Sequence, residues 1–408
     1  MIPDNVIRQQ CENRNSFYLY EERVMLERIA QLRHHFKDID FLFSVKANPA
    51  PAVLDRVFGS GLGADAASPA EVMLARERGV KKENILYSAP GKDVKEIEAA
   101  LPYSTVVADS IDEVSRINDA AGRLGMKAKI GLRINPGFTF SGNRRGGAPE
   151  KFGIDIEQAV AKLPDFEKLE NIEIDGIHVH LRSQELDTAV IARYYERLLK
   201  SAADFAEALG RPPGFIDLGS GMGIPFGPGD TEVDTKRLGE TVTSFRKIFS
   251  EKLAGTRIMI ESGRFICGEA GLYCTKVMDR KVSRGKTFVF LHSTLNGFAR
   301  PSYEMAARYF CAGGDPGGYE PLFTTENAFE FIALTDSREV ETVTLVGNLC
   351  TNTDVIAEDI SMPKLRCGDI LVVTNAGCYG ATLTPFAFSS FGRPAELFLR
   401  TDGTVTET

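Results

Sequence analysis

The sequence predicts an α/β fold, a (β/α)8 TIM barrel followed by a C-terminal antiparallel β-domain, on three observations. Short apolar runs punctuate the first part of the chain, amphipathic stretches separate them, and past Glu261 the texture turns β-rich. The runs are Phe41–Val45, Leu62–Ala64, Ile85–Tyr87, Val106–Ala108, Ile130–Leu132, Ile174–Val179, Phe215–Leu218 and Ile258–Ile260. They lead into Lys46, Asp65, Ser88, Asp109, Arg133, His180, Gly219 and Glu261 respectively, each a residue suited to binding or catalysis. A closed parallel barrel gathers its strand C-termini on one face, so these side chains are expected to converge in an active site.

Helical patterns fill the intervals. Ser68/Glu71 and Ser110/Glu113 have the Ser-x-x-Glu spacing of a capping box, and Pro69 occupies a first helical position. Further amphipathic stretches run through Pro51–Phe58, Val94–Leu101, Ile156–Leu163, Asp187–Leu209 and Val233–Leu253. An open doubly wound sheet gives a similar alternation, but eight strands in about 240 residues is the size of a closed barrel. Beyond it, Leu272–Val277, Thr287–Leu291, Thr342–Val346, Ile370–Thr374 and Glu396–Leu399 read as strands with little helical periodicity between them, and CAGGDPGGYEP (311–321) reads as a loop. The expected division is a barrel over 20–262 and a β-domain made of 1–19 plus 263–408.

A chain of 408 residues is too long for one hydrophobic core, consistent with two domains. No apolar run approaches the roughly 20 residues that cross a bilayer, and MIPDNVIRQQ carries no basic-then-apolar leader, so a cytoplasmic protein is expected. The net charge of −8 is spread along the chain and argues against a nucleic-acid partner. Cysteines at 11, 267, 274, 311, 350, 367 and 378 form no CxxC pair, so neither a disulfide framework nor a zinc site is expected. His178 and His180 make an H-x-H on a strand, but no other ligand cluster stands near them in sequence, and no metal site is expected.

Lys46 is the first polar side chain beyond FLFSV. Partial desolvation at a barrel mouth is expected to lower its pKa and expose an amine suited to a Schiff base. Asp-Leu-Gly-Ser-Gly-Met-Gly (217–223) is a glycine-rich turn after a strand, whose bare amides suit a phosphate. It lacks the G-x-G-x-x-G register of a dinucleotide site. Glu261-Ser-Gly-Arg264 offers a carboxylate for a pyridinium nitrogen and a guanidinium for a phosphate or substrate carboxylate.

With these residues in place, the chain resembles the fold-type III pyridoxal phosphate-dependent decarboxylases, the ornithine/diaminopimelate decarboxylase family, whose barrel is alanine racemase-like. The motifs are FSVKANP (43–49), GADAASPAE (63–71), GIHVHLRSQ (176–184), DLGSGMGIP (217–225), ESGRFICGEAG (261–271), GNLCTNTD (347–354) and NAGCYG (375–380), and the resemblance spans nearly everything from Phe17 to Leu399. It implies pyridoxal 5'-phosphate bound covalently at Lys46, His180 stacked on the ring, and Asp65 and Arg133 in support. It further implies Ser183, Gly219, Ser220, Gly221, Gly263, Arg264 and Tyr379 around the phosphate or ring, and Glu261 holding the ring nitrogen protonated. In the related racemases an arginine takes that last place, so Glu261 favours decarboxylation. The resemblance also implies a homodimer with shared active sites, in which Cys350 and Asp354 enter from the second subunit and Cys350 protonates the product carbon.

Departures from the family pattern bear on the substrate. Diamine- and lysine-forming members carry an acid directly after the cysteine to read a distal ammonium; here it is Thr351, which cannot partner a buried charge. Arg182 replaces a usual glycine, Arg144 and Arg145 lie in a loop, Arg300-Pro-Ser-Tyr303 resembles the segment through which diaminopimelate decarboxylases hold a distal carboxylate, and His292 replaces an expected aspartate. The implied substrate is an amino acid with a neutral or anionic, possibly conjugated far end, either citryl-linked or carrier-bound, as in the siderophore and antibiotic branch of the family. The alternatives are plain diaminopimelate decarboxylation and, in a different class, a non-catalytic regulatory homologue, against which the retained Lys46, Cys350 and glycine turn argue.

Overall fold

The computed structural model describes residues 2–140, 149–227, 229–310 and 324–408. Arg144, Arg145 and the 311–321 loop lie outside the described residues. The first strand, β1 (Ser16–Glu21), precedes the barrel and does not join it. The barrel strands are β2 (Asp40–Ser44), β3 (Gly63–Ala66), β4 (Ile85–Ser88), β5 (Thr105–Ala108), β6 (Ala128–Asn135), then after a two-residue strand β7 (Ile154–Asp155), β8 (Ile172–His178), β9 (Phe215–Asp217) and β10 (Arg257–Ser262). Every pairing among them is parallel; β10 pairs with β2 and β5 with β6, which closes the ring. All of the predicted runs became barrel strands.

Helices start where short side chains satisfy the free amides of the first turn. Ser68 accepts from the Glu71 backbone N–H and Ser110 from that of Glu113. The two glutamates do not close boxes, however: their carboxylates reach back one residue further, to the N–H groups of Ala67 and Asp109, where strand gives way to helix. A complete capping box stands instead at Asp93/Glu96. The longest helix, Thr188–Leu209, is capped by Asp187 and stops at Gly210 in the left-handed region, φ 72°.

Successive side chains of a strand point to opposite faces, so alternate residues of all barrel strands share the interior. One interior layer is apolar: Leu42, Leu86, Val107, Phe215 and Met259 form a closed cluster. The Phe215 ring fills space that glycines leave, since a Cβ at Gly176 or Gly131 would stand 2.5 or 2.8 Å from it. Two residues further along each strand come Ser44, Asp65, Ser88, Asp109, Arg133, His178, Asp217 and Glu261, all buried. The barrel thus turns from hydrocarbon to charge within one step of the pleat.

The remaining strands are β11 (Gly271–Ser283), β12 (Lys286–Leu291), β13 (Phe331–Leu334), β14 (Val340–Val346), β15 (Val355–Pro363), β16 (Ile370–Val373), β17 (Ala395–Leu399) and β18 (Val405–Glu407). They form a second, mostly antiparallel sheet in which β1 lies between β11 and β17. The pairs β1–β17 and β12–β14 are parallel. A helix at Arg300–Phe310, absent from the sequence expectation, packs against β15.

One interaction ties the scaffold to the site wall. Lys92, fully buried, donates to the carbonyls of Val107 (2.8 Å) and Ala89 and is ion-paired with the equally buried Glu113. It thereby fixes the end of β5 from which Asp109 reaches Arg133. Lys92→Met strands the Glu113 carboxylate, and urea unfolding followed by circular dichroism should show a loss of roughly 3–5 kcal/mol; a loss below about 1 kcal/mol would mean that the pair does not hold this corner.

Candidate active site

The C-terminal ends of the barrel strands surround a cavity of about 590 Å³. Lys46, Asp65, Ser88, Arg133, His178, His180, Arg182, Ser183, Glu261 and Tyr379 line it, with Asn135, Lys151 and Phe152 toward one side. Lys46 sits on a single helical turn, Val45–Ala47, directly after β2. That turn is braced by the NAGCYG loop: the Tyr379 N–H donates to the Ala47 carbonyl at 2.8 Å and the Asn48 side-chain amide to the Gly377 carbonyl at 2.8 Å.

The amine of Lys46 is not the low-pKa nucleophile expected from desolvation. Enclosure opposes its charge, but the Asp65 carboxylate 2.7 Å away, with Glu261 behind, outweighs it and holds the ammonium above the usual lysine range. Asp65 is almost wholly buried, while the Lys46 side chain is 43% exposed to the cavity, so solvent screens the pair from the lysine side.

Beside them, Glu261 extends from β10, the strand paired with β2. Burial pushes its carboxyl up, yet His178 and His180 outweigh this and keep it ionised well below the usual carboxylate range. His178 Nε2 lies 3.0 Å from Oε1, and His180 Nδ1 lies 3.4 Å from Oε2. Asp217, one strand away on β9, shifts the opposite way: burial and the neighbouring Glu261 raise its carboxyl well above the ordinary aspartate value. Two carboxyls with diverging environments divide the roles of anion and acid. His180 is further held by Ser183 Oγ at 3.2 Å and by the backbone N of Ser220 at 3.3 Å.

The glycine turn follows β9. Gly219 has φ 63°, and a Cβ there would stand 2.4 Å from the Val179 carbonyl, so only glycine lets the turn pass under His180. A Cβ at Gly263 would meet Ala47 at 2.8 Å, which keeps the Glu261–Arg264 turn against the lysine turn. Arg264, buried, donates to Gln184 at 3.1 Å and lies over the Tyr379 ring at 5.4 Å. Arg133 stands between Asp109 and the Phe152 ring. The cavity is lined by an amine and an ionised carboxylate from neighbouring strands; the glycine turn and Arg264 do not line it but pack directly behind its lining residues His180 and Tyr379, and this set of groups fits pyridoxal phosphate.

Several expected substrate contacts are elsewhere. Arg300 is fully buried and donates to the carbonyls of Asn375 (3.1 Å) and Cys378 (2.9 Å), so it shapes the NAGCYG loop and does not line the cavity. Tyr303 donates to the Leu383 carbonyl at 3.2 Å, also outside the cavity. Asp354 is buried with both oxygens engaged by its own chain, accepting from Thr294, from Leu295 N–H at 3.0 Å and from Leu349 N–H at 2.9 Å; it folds the GNLCTNTD turn and is not a free carboxylate for substrate. Cys350 and Thr351 ride on that turn, away from this chain's cavity; Cys350 is exposed. Arg182 lines the cavity and faces Glu185 at 3.5 Å. His292 lies outside the cavity, its imidazole pKa lowered by burial. His178 and Asp217 were not foreseen as site residues, although stepping back by two from His180 and Gly219 along each strand would have found both.

A parallel barrel with this set of groups at its strand ends defines an enzyme that binds a carbonyl cofactor on a lysine. Residues 22–268 match the family described as pyridoxal-dependent decarboxylase, pyridoxal binding domain. The L-glutamyl-(BtrI acyl-carrier protein) decarboxylase of Niallia circulans is 30% identical over 393 residues, covering 94% of this chain and 88% of that protein. The diaminopimelate decarboxylase of Aquifex aeolicus is 30% identical over 378 residues, covering 91% of this chain and 83% of that protein. The crystal structure of diaminopimelate decarboxylase from Helicobacter pylori complexed with L-lysine superposes with a TM-score of 0.83 at 25% identity, covering 99% of this chain and 95% of that one. The chain belongs to the pyridoxal-dependent decarboxylase family, and it is an amino-acid decarboxylase that uses pyridoxal phosphate. Among the described residues no helix is long and apolar enough to cross a membrane.

The Lys46–Asp65 pair makes a kinetic prediction. Attachment of the cofactor needs the neutral amine, whose fraction rises with pH; Asp65→Asn removes the strongest attraction for the proton, so the midpoint of attachment rate against pH should move to lower pH. Stopped-flow absorbance on apo-protein checks this, and an unmoved or higher midpoint would mean that Asp65 does not hold the proton.

Proposed function

We propose that the chain decarboxylates, at the α-carbon, an amino acid whose far end is neutral or anionic and conjugated, with a carrier-bound substrate favoured. The observation that carries the decarboxylase site is the Lys46 amine and the ionised Glu261 carboxylate lining one cavity from the ends of the paired strands β2 and β10. Pyridoxal phosphate, when bound, supplies a ring that accepts the electron pair left as carbon dioxide departs. Lys46 would attach it, Glu261 would keep a proton on its ring nitrogen, and His180 would lie against the ring. Gly219, Ser220, Gly221, Gly263, Arg264 and Ser183 would hold the phosphate and Tyr379 the phosphate or ring, with Asp65 and Arg133 fixing Lys46 and Asp109 respectively.

The substrate reading is supported by Thr351 where a cation reader would be acidic, by Arg182 and Lys151 on the cavity wall, and by the carrier-protein relative. Diaminopimelate, a second reading, is supported by the Aquifex aeolicus relative. Cys350, exposed on its turn, is proposed to enter the partner's cavity in a homodimer and give the product carbon its proton.

Carbon dioxide release from free glutamate, carrier-linked glutamate, citryl-linked diamines, diaminopimelate, lysine and ornithine tests the substrate. Turnover should be fastest on a conjugated substrate, vanish in Lys46→Ala, and shift toward ornithine or lysine in Thr351→Asp; fastest turnover of diaminopimelate would replace the proposed substrate with that one. The shared site has its own test. Mixed after unfolding, inactive Lys46→Ala and Cys350→Ala chains should regain about a quarter of wild-type activity, because half the dimers are mixed and each has one intact site. No recovery would contradict a site built from two chains.

A further inference from the structure

The GIHVHLRSQ motif contributes His180 to the cofactor site and leaves His178 without an assigned task. The pleat places it on the interior of β8, one step below His180 and one above Gly176, with only 2% of its surface exposed. Its Nε2 lies 3.0 Å from Glu261 Oε1 and its Nδ1 lies 3.4 Å from Ser88 Oγ. An ionised carboxylate only accepts, so Nε2 carries the hydrogen, and Nδ1 then accepts from the serine hydroxyl. The chain Ser88 to His178 to Glu261 is satisfied throughout with a neutral imidazole, the form that burial favours.

We propose that His178 is a positioning residue of the reaction: braced by Ser88, it holds the Glu261 carboxylate in the orientation and charge state that receive the ring nitrogen of pyridoxal phosphate. The neighbours make this hydrogen bond decisive. Glu261 is faced by Lys46 from the turn after β2, His178 from β8, His180 just beyond it and Asp217 from β9, with Tyr194 behind; Arg133 and Asp65 lie one neighbour further, beside His178 and Asp217. Ligand atoms of His178, Asp217 and Glu261 all lie within 4.8 Å of one another, too close for both carboxyls to ionise. Asp217 Oδ1 accepts from the Gly219 N–H at 2.8 Å, while its buried Oδ2 has no partner among the described residues. Loss of the donor at His178 would leave the buried Glu261 carboxylate without its shorter contact, with only His180 Nδ1 at 3.4 Å beside it, and competing with Asp217 for one proton. The carboxylate facing the ring nitrogen would then be weakened without any change in the residues that hold the phosphate.

The inference rests on the role of Glu261 toward the ring nitrogen, and binding to apo-protein separates the two claims. Affinity is measured for pyridoxal phosphate and for its 1-deaza analogue, in which carbon replaces the ring nitrogen. Wild-type protein should prefer the natural cofactor; equal affinities there would remove the Glu261 role itself. His178→Phe should lower affinity for pyridoxal phosphate about tenfold while changing that for the deaza analogue less than about twofold, and His178→Gln, which can still donate, should restore most of the preference. Ser88→Ala, which removes only the brace, should lose part of the preference and serves where His178→Phe does not fold. A variant that keeps the wild-type preference, or one in which both affinities fall together, would overturn the positioning role.

Discussion

The site depends on the two-residue period of parallel strands closed into a ring. Once β5 pairs with β6 and β10 with β2, every second side chain is committed to one axis, and a slip of one residue in any strand would exchange interior for exterior. The apolar layer around Phe215 fills that axis below the site, and the glycines at 131 and 176 give it room. Above it the same parity delivers Asp65, Ser88, Arg133, His178, Asp217 and Glu261 to one level, with Lys46 and His180 one step higher. Catalytic geometry here is a consequence of register, carried by backbone hydrogen bonds far from the chemistry.

Placing so many charges inside a barrel is tolerable because almost each has an opposite or a proton. Lys46 meets Asp65, Arg133 meets Asp109, and Glu261 meets two imidazoles, while burial and Glu261 push the Asp217 carboxyl toward its protonated form. The outcome is a divided cavity: cationic at the lysine, anionic at Glu261. The second sheet completes this arrangement from outside, since the NAGCYG loop clamps the lysine turn and is itself held by Arg300. The GNLCTNTD turn, folded by Asp354, carries an exposed Cys350 and does not line this cavity.

Much of this was legible in the amino-acid order. Local apolar runs and turn residues mark barrel strands well because each strand is buried on both faces, and the motifs carry Lys46, His180 and Glu261 to the cavity, with Gly219 packed behind His180. What escaped was set by long-range packing. Nothing local says that Asp65 would outweigh desolvation at Lys46, that Asp354 would spend both oxygens on Thr294, Leu295 and Leu349, or that Arg300 would turn inward to two carbonyls. His178 and Asp217 were hidden because attention fell on residues at strand ends, whereas parity continues one pleat deeper. The helix Arg300–Phe310 lay in a stretch judged by its β-rich flanks.

The most direct test of the account is chemical. Protein purified with its cofactor is reduced with borohydride, digested and mapped by mass spectrometry, which fixes the covalent attachment to one residue. The account predicts a pyridoxyl group on Lys46 and on no other lysine; a label on Lys92, on Lys151 or on a surface lysine, with Lys46 unmodified, would contradict it.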